Sequence, residues 1–464
     1  MPSDLSPLLF RPPNADQSSL AQFTFIGPVK VSSSDVIHGR GLIATRDINP
    51  GECLFVTPPT VSANIGEVKR LWSGSNGKRS IEEVAEASLL KSMKRSIKAK
   101  DKATAISFMA LTSVHSDAEI DVPDIGQYGA SSSTDVLLGR CEEVSALKAI
   151  DERRANDKDE LLGIVRHNAF GPDYHNYSRI EQTWMATSSP DPSPYSRILG
   201  MYPLAAIINH SCTSNAVRVF SGEAMAVHAN APIKEGEEIV WSYLPPAQPY
   251  HARQEQTRGK YGFCCRCKRC ILENEALEAA PHVWEGLKAL DYLNETGMST
   301  ATIPKPEKFD DFVETVEKLL VDPLLSNEAS RSLRLGYSNL FINFFNTALS
   351  SNVDRSRILS LATNLHFAFA SFHNASTEHL SILHLCYELA ATTSSTSTST
   401  NGSSAAGDSA RKKIAFWTDQ LKRVHMVRYG ELGNDVASVR EAMKHTRGIL
   451  RNLDGLQRAR WGFI

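Results

Sequence analysis

No stretch of this sequence holds an apolar run approaching the roughly 20 residues that span a bilayer, so no transmembrane helix and no membrane association are expected. Neither charge sign dominates: 50 Lys and Arg stand against 52 Asp and Glu, a formal net charge of −2. That balance excludes a polycation that coats nucleic acid, although it permits a local basic patch. The opening residues, MPSDLSPLLFRPPNADQ, lack a basic segment followed by a long apolar core, and a secretory signal is not expected. Cysteine is absent from 54 to 140, and no strict sequence repeat occurs. What is present is ordinary for a globular protein. The 464 residues leave room for two or three domains, and 42% hydrophobic residues suffice for a core.

The pattern changes along the chain. Residues 1–22 are rich in Pro and Ser and predict a loose tail. Over 23–62, short apolar runs (Phe23, Phe25, Val29, Val31; Leu42, Ile43; Leu54, Phe55, Val56) are separated by Gly39, Gly41 and Pro50-Gly51. Short strands with tight turns fit that pattern. Residues 64–115 place apolar side chains at helical spacing, among them Ile81, Val84, Ala85, Leu89 and Leu90, then Ile106, Met109 and Ala110. A polar insertion over 116–160 follows, then a helical stretch near Leu161–Ala169 and a Pro-rich loop. Ala216–Phe220, Ala224–Ala229 and Ile239–Trp241 read as strands, with a turn at Pro232 and Gly236. From about residue 275, helix follows helix. One stripe is Leu277, Val283, Leu287 and Leu290; another is Phe312, Val316, Leu319 and Leu320; two more lie between Leu340 and Phe372. Residues 392–400 are all Ser or Thr and predict a flexible loop over 392–409. Residues 410–455 read as helical again, and paired helices of tetratricopeptide type are compatible with this half.

Four of the eight cysteines, Cys264, Cys265, Cys267 and Cys270, lie within seven residues. Such crowding reads as metal binding, not as a disulfide framework. Cys265, Cys267 and Cys270 supply three thiolates, and a structural zinc site wants four ligands. Cys264 adjoins Cys265, and neighbours rarely both reach one ion. Cys212, in Asn209-His210-Ser211-Cys212, is the better fourth ligand. Arg266, Lys268 and Arg269 would offset part of the negative charge of a zinc tetrathiolate. Other signals are weak one by one. His38-Gly39-Arg40-Gly41-Leu42 sits between two strand candidates, Asn209-His210 follows an apolar run, and Tyr243 ends a strand.

Their order is specific. GRGL near the start is followed by Pro50-Gly51-Glu52, then Arg166-His167-Asn168-Ala169-Phe170, then Tyr202-Pro203 leading to NHSC. Gly236-Glu237-Glu238-Ile239, Ser242-Tyr243, Tyr261-Gly262-Phe263 and CxCxxC complete the series. Over about residues 25–271 the chain resembles the SET-domain protein methyltransferases, above all the SMYD-like branch and its fungal relatives. The resemblance implies an α+β chain. A SET β-fold over 23–245 would carry a helical insert at about 62–195. A zinc-binding post-SET segment over 246–272 and an all-helical C-terminal domain over 273–464 would follow. The MYND zinc module that interrupts SMYD proteins reads as absent, given the cysteine gap. The resemblance further implies S-adenosyl-L-methionine (SAM) and zinc as cofactors. By match, His38, Gly39, Arg40 and Gly41 line the methionine end of SAM, and Asn168 binds the same end. Asn209 and His210 meet its adenine and amino group. Tyr261 and Phe263 wall the lysine channel and stack near the adenine. Tyr243 stands beside the transferred methyl as the catalytic residue, and Cys212, Cys265, Cys267 and Cys270 hold the zinc.

Three positions depart from the family pattern. Ser214 stands where Pro is common, Trp241 where a smaller aliphatic is usual, and Cys264 where the family has no cysteine. The basic segment from Lys78 to Lys102 also carries Glu82, Glu83, Glu86 and Asp101, and reads as a solvated helix face. The expected partner is a protein substrate bearing a target lysine, histone or non-histone. Direct nucleic-acid binding is not expected, a monomer is, and the location is cytoplasm or nucleus. The rival reading is a catalytically inactive SET scaffold that binds partners through its helices.

Overall fold

The computed structural model describes residues 25–34, 39–57, 59–76, 78–98, 157–171, 197–221, 224–291, 306–349, 353–372, 375–397 and 404–429. Among these the chain forms two compact units. The first holds the residues up to Asn209 together with Asn215–Trp241; the second holds His210–Ser214 and Ser242–Arg428.

The first unit is built on three small sheets. In the first sheet, β1 (Phe25–Ile26), β4 (Cys53–Thr57), β10 (Ala224–Ala229) and β9 (Ala216–Ser221) pair in that order. The run CLFVT makes β4 buried at every position, as an apolar strand with a neighbour on each side must be. The second sheet runs β2 (Val29–Ser34), β3 (Gly39–Ala44), β11 (Glu238–Trp241), β8 (Asn209–His210). It gathers GRGL, the Asn-His pair and the strand that leads to Tyr243, although up to 200 residues separate them in sequence. β3 is antiparallel to β11, with Leu42 opposite Ile239.

The third sheet, β5 (Val61–Asn64), β7 (Arg197–Met201), β6 (Ala169–Phe170), lies at the ends of the insert that is expected to be helical. The insert therefore contains strands as well as helices α1 (Ile65–Ser73), α2 (Ile81–Lys98) and α3 (Lys158–Asn168). Val84, Leu89, Leu161 and Ile164 from the helices close over Ala63, Leu199 and Met201 from the sheet. That shared apolar core explains why Ala169-Phe170 turns into a strand directly after α3. α3 also starts earlier than the apolar pattern suggests. The Asp157 side chain accepts from the Asp159 and Glu160 amides at 2.9 and 3.2 Å, an N-cap four residues ahead of the first apolar position. Ile106, Met109, Ala110 and most of the polar insertion lie outside the described residues. A short helix, α4 (Pro203–Ala206), leads into β8.

The second unit is helical: α5 (Tyr250–Tyr261), α6 (Lys268–Ala279), α7 (Pro281–Lys288), α8 (Pro306–Leu320), α9 (Asn327–Gly336), α10 (Ser338–Ala348), α11 (Arg355–Ser371), α12 (Thr377–Ser397) and α13 (Ser404–Tyr429). The expected stripe from Leu277 to Leu290 is split between α6 and α7, because Pro281 lacks the N–H that would continue α6 and instead opens the next helix. The Ser/Thr run is helical as far as Ser397, not a loop from 392. Thr392 Oγ1 donates to the Glu388 carbonyl at 3.0 Å, so the hydroxyl is satisfied inside the helix. The rest of that stretch up to residue 403 and the residues after 429 lie outside the described set.

Helices α5, α6 and α9 meet on a buried ionic knot. Arg253 and Arg269 are fully buried and both pair with Glu273, which is 1% exposed. Arg269 Nη2 donates to the Ser332 carbonyl at 3.2 Å, and the Ser332 hydroxyl donates to Glu273 Oε1. Arg269 Nη1 also donates to the Pro246 carbonyl at 3.1 Å. Two buried guanidiniums around one carboxylate hold only while that carboxylate remains. Glu273→Ala is expected to cost about 3–5 kcal/mol in denaturant unfolding. A loss below about 1 kcal/mol would contradict this reading of the knot.

Candidate functional site

Gly262 ends α5 in the left-handed conformation, φ 75°. Its amide bonds back to the Arg258 carbonyl at 3.2 Å, and the Phe263 amide bonds to that of Thr257 at 3.2 Å. Glycine adopts this φ without a Cβ penalty. The chain then passes through Cys264-Cys265-Arg266-Cys267 into α6, whose first turn carries Cys270. There these cysteines meet Cys212. All four sulfurs of Cys212, Cys265, Cys267 and Cys270 lie within 4.8 Å of one another. Cys212 Sγ is 3.9 Å from Cys265 Sγ and 3.7 Å from Cys270 Sγ. Zinc with bonds of about 2.3 Å in a tetrahedron puts its sulfurs about 3.8 Å apart, so the donor set fits zinc in both chemistry and spacing. Hydrogen bonds from Cys265, Cys267 and Cys270 hold the Cys212 thiol well below its usual pKa, despite burial. Cys264 is exposed and outside the cluster.

The basic residues expected to offset the thiolate charge behave differently. Arg266 and Lys268 are exposed, with Lys268 paired to Glu328. Arg269 is committed to Glu273. The cation that reaches sulfur is Arg253, whose Nη2 lies 3.8 Å from Cys270 Sγ.

Against the cluster stand the aromatics of the second unit. His210 is 5% exposed, with its ring 5.1 Å from that of Tyr243 and 5.7 Å from that of Phe263. Tyr261, the last residue of α5, lies 5.0 Å from Tyr243 and 6.4 Å from Phe263. Both ring nitrogens of His210 are engaged. Nδ1 accepts the Tyr243 backbone N–H at 2.9 Å, and Nε2 lies 3.3 Å from Cys212 Sγ. Tyr243, Tyr261 and Phe263 are all partly exposed, so the cluster presents aromatic surface to solvent.

In the first unit, Gly39 and Arg40 pair with Ser34 and Ser33 across β2 and β3. His38 lies outside the described residues. Gly41 and Asn209 are brought together by a residue that the sequence does not single out for itself, Glu238. Asn209 Nδ2 donates to Glu238 Oε1 at 2.6 Å. A Cβ on Gly41 would come within 2.3 Å of that same oxygen. A Cβ there would thus force the Glu238 carboxylate to shift from the Asn209 amide. Asn168 is buried at the end of α3, where its Nδ2 donates to the Ile164 carbonyl at 2.9 Å. Trp241, the unusual residue of β11, is 2% exposed and meets Phe170 edge-on at 5.6 Å, with the Arg218 guanidinium 5.2 Å from its ring.

Sequence reasoning missed Glu238 and Arg253. Glu238 lies within the Gly236–Ile239 motif and Arg253 in an ordinary charged stretch, but their partners are 29 and 17–20 residues away, so no local pattern marks what either one holds. The purified protein is expected to hold about one zinc per chain by elemental analysis, with affinity reduced by tenfold or more, roughly, in Cys212→Ser. Cys264→Ser is expected to keep the zinc; loss of metal there, or retention in Cys212→Ser, would contradict this ligand set.

A family model described as the SET domain matches residues 39–244. Among curated proteins, the histone-lysine N-methyltransferase ASHR1 of Arabidopsis thaliana is 42% identical over 72 residues, 16% of this chain and 15% of that protein. The histone-lysine N-methyltransferase SET5 of Saccharomyces cerevisiae is 35% identical over 85 residues, 18% of this chain and 16% of its own length. Human histone-lysine N-methyltransferase SMYD3 is 33% identical over 102 residues, 20% of this chain and 24% of its own length. The chain thus spans less than a quarter of each of these relatives in alignment. A solved structure, "Structure of Rubisco LSMT bound to AdoMet", aligns over 92% of this chain and 88% of that one at 14% identity, but its TM-score of 0.30 is too low to argue from. Residues 39–244, the segment that carries GRGL, NHSC and Tyr243, are similar to the SET domain.

Proposed function

We propose that this protein is a SAM-dependent protein-lysine N-methyltransferase acting on histone or non-histone lysines. The observation that carries the reading is Tyr243. It lies within the SET match, immediately after β11, in an aromatic cluster with His210, Tyr261 and Phe263. The relatives named above as lysine methyltransferases support it.

When bound, SAM supplies a sulfonium methyl for in-line transfer to a neutral amine. The chain's own residues must bind it, align the lysine and help the lysine lose its proton. Free lysine has a pKa of about 10.4 and is mostly protonated at neutral pH. Aromatic walls made by Tyr261 and Phe263 disfavour the ammonium by desolvation and so favour the reactive amine. The Tyr243 hydroxyl orients that amine; no strong base is needed, because alignment alone contributes several kcal/mol. Gly39, Arg40, Gly41, Asn168, Asn209 and the His210 backbone are assigned to SAM, and His38 is assigned by resemblance alone. Within the second unit, the part-exposed rings of Tyr261 and Phe263 suit the face of an adenine. A zinc held by Cys212, Cys265, Cys267 and Cys270 would be structural, since four protein sulfurs supply the whole donor set. No helix among the described residues is long and apolar enough to cross a membrane. The location that goes with this reading is the cytoplasm or the nucleus.

The test is transfer of labelled methyl from SAM to lysines in a whole proteome. Tyr243→Phe is expected to lower the rate by roughly 100-fold while the protein stays folded and zinc-loaded. No transfer by the folded, zinc-loaded wild-type protein would overturn the reading in favour of a scaffold.

A further inference from the structure

We propose that His210 is a positioning residue that joins the sulfur of Cys212 to the backbone of Tyr243, so that the metal centre sets where the Tyr243 hydroxyl stands. Its consequence for turnover rests on the methyltransferase reading; the link itself does not.

The hydrogen bonds define the ring. The Tyr243 N–H can only donate, so His210 Nδ1, 2.9 Å away, holds a lone pair. The proton of the neutral ring is therefore on Nε2, which faces Cys212 Sγ at 3.3 Å. A metal-bound thiolate accepts and does not donate, so tautomer and ligand agree. Flipping the ring would put carbon at both contacts, and the orientation is fixed. With both nitrogens in use at 5% exposure, the side chain has none left for a ligand and can offer SAM only its backbone.

The two ends of this link are built alike. Cys212 lies in a turn bracketed by Ser211, whose hydroxyl donates to the Thr213 carbonyl at 2.7 Å and accepts the Thr213 N–H at 3.1 Å. Tyr243 lies in a turn bracketed by Ser242, whose hydroxyl donates to the Leu244 carbonyl at 2.7 Å and accepts the Leu244 N–H at 3.3 Å. Each serine closes a small rigid loop around the residue that follows it. His210 is the strut between the two loops, and its ring packs on those of Tyr243 and Phe263. A shift of the Cys212 sulfur on metal loss would thus move the Tyr243 backbone through a single side chain.

Two substitutions separate the two bonds. Asn places an acceptor where Nδ1 was, and Gln places a donor where Nε2 was. Both variants are loaded with Co(II) in place of zinc, and the thiolate-to-metal charge-transfer band is read. In parallel, hydrogen exchange of the Tyr243 amide is followed in protein labelled with 15N-tyrosine. His210→Asn is expected to shift the band and keep the amide protected. His210→Gln is expected to keep the band and speed amide exchange by about tenfold, with kcat falling about tenfold further than in His210→Asn. If both variants change both readouts alike, or if neither changes either, the strut is overturned. Should the wild-type protein transfer no methyl group, the methyltransferase reading fails, while band and amide exchange still decide the strut.

Discussion

Four sulfurs drawn to within 4.8 Å of one another are the constraint on which the rest of the site depends. One comes from the NHSC loop, the other three from beyond α5, 53 to 58 residues later. Thiols alone have no reason to converge so closely, and as thiolates they repel. A divalent cation at the centre would turn that repulsion into attraction and close a long loop at the same time. The aromatic cluster of the second unit is arranged around that closure. The Gly262 turn aims the cysteines, Phe263 packs on them, and His210 reaches from Cys212 to Tyr243. On the far side of the cluster, Arg253 connects sulfur to the buried knot of Glu273, Arg269 and Ser332.

The first unit depends on a smaller constraint of the same kind. Glu238 occupies the space over Gly41 and holds the Asn209 amide. The glycine of GRGL can be read as an adaptation for close approach of a cofactor. The structure adds a neighbour inside the protein: the Glu238 carboxylate lies where a Cβ on Gly41 would be. The glycine therefore serves the fixed orientation of Asn209, whatever it also does for a ligand.

Much of this was legible in the sequence, for physical reasons. Cys265, Cys267 and Cys270 are local, and their spacing alone implies a metal. The strands from Val29 to Val56 show because short apolar runs alternate with Gly and Pro punctuation. Helix type in the C-terminal half follows from stripes such as Phe312, Val316 and Leu320. The features that escaped are those decided by partners distant in sequence or by a single local bond. Ala169-Phe170 is a strand only because β7 lies beside it. The Ser/Thr run stays helical to Ser397, and the Thr392 hydroxyl bonds back to the helix. The stripe from Leu277 to Leu290 looks continuous because periodicity does not register the missing N–H of Pro281. Arg253 looks like any surface arginine until Glu273 and Cys270 are brought to it.

The central claim is that the cysteine cluster holds a metal on which the proposed SAM binding depends. Calorimetric titration of SAM into zinc-loaded protein, and into the same protein stripped of metal but shown by circular dichroism to keep its helices, tests it most directly. The account predicts binding at about micromolar affinity with zinc and at least about a tenfold loss without it. Equal affinity in the two samples would contradict the coupling of metal to cofactor, and no binding in either would contradict the SAM site itself.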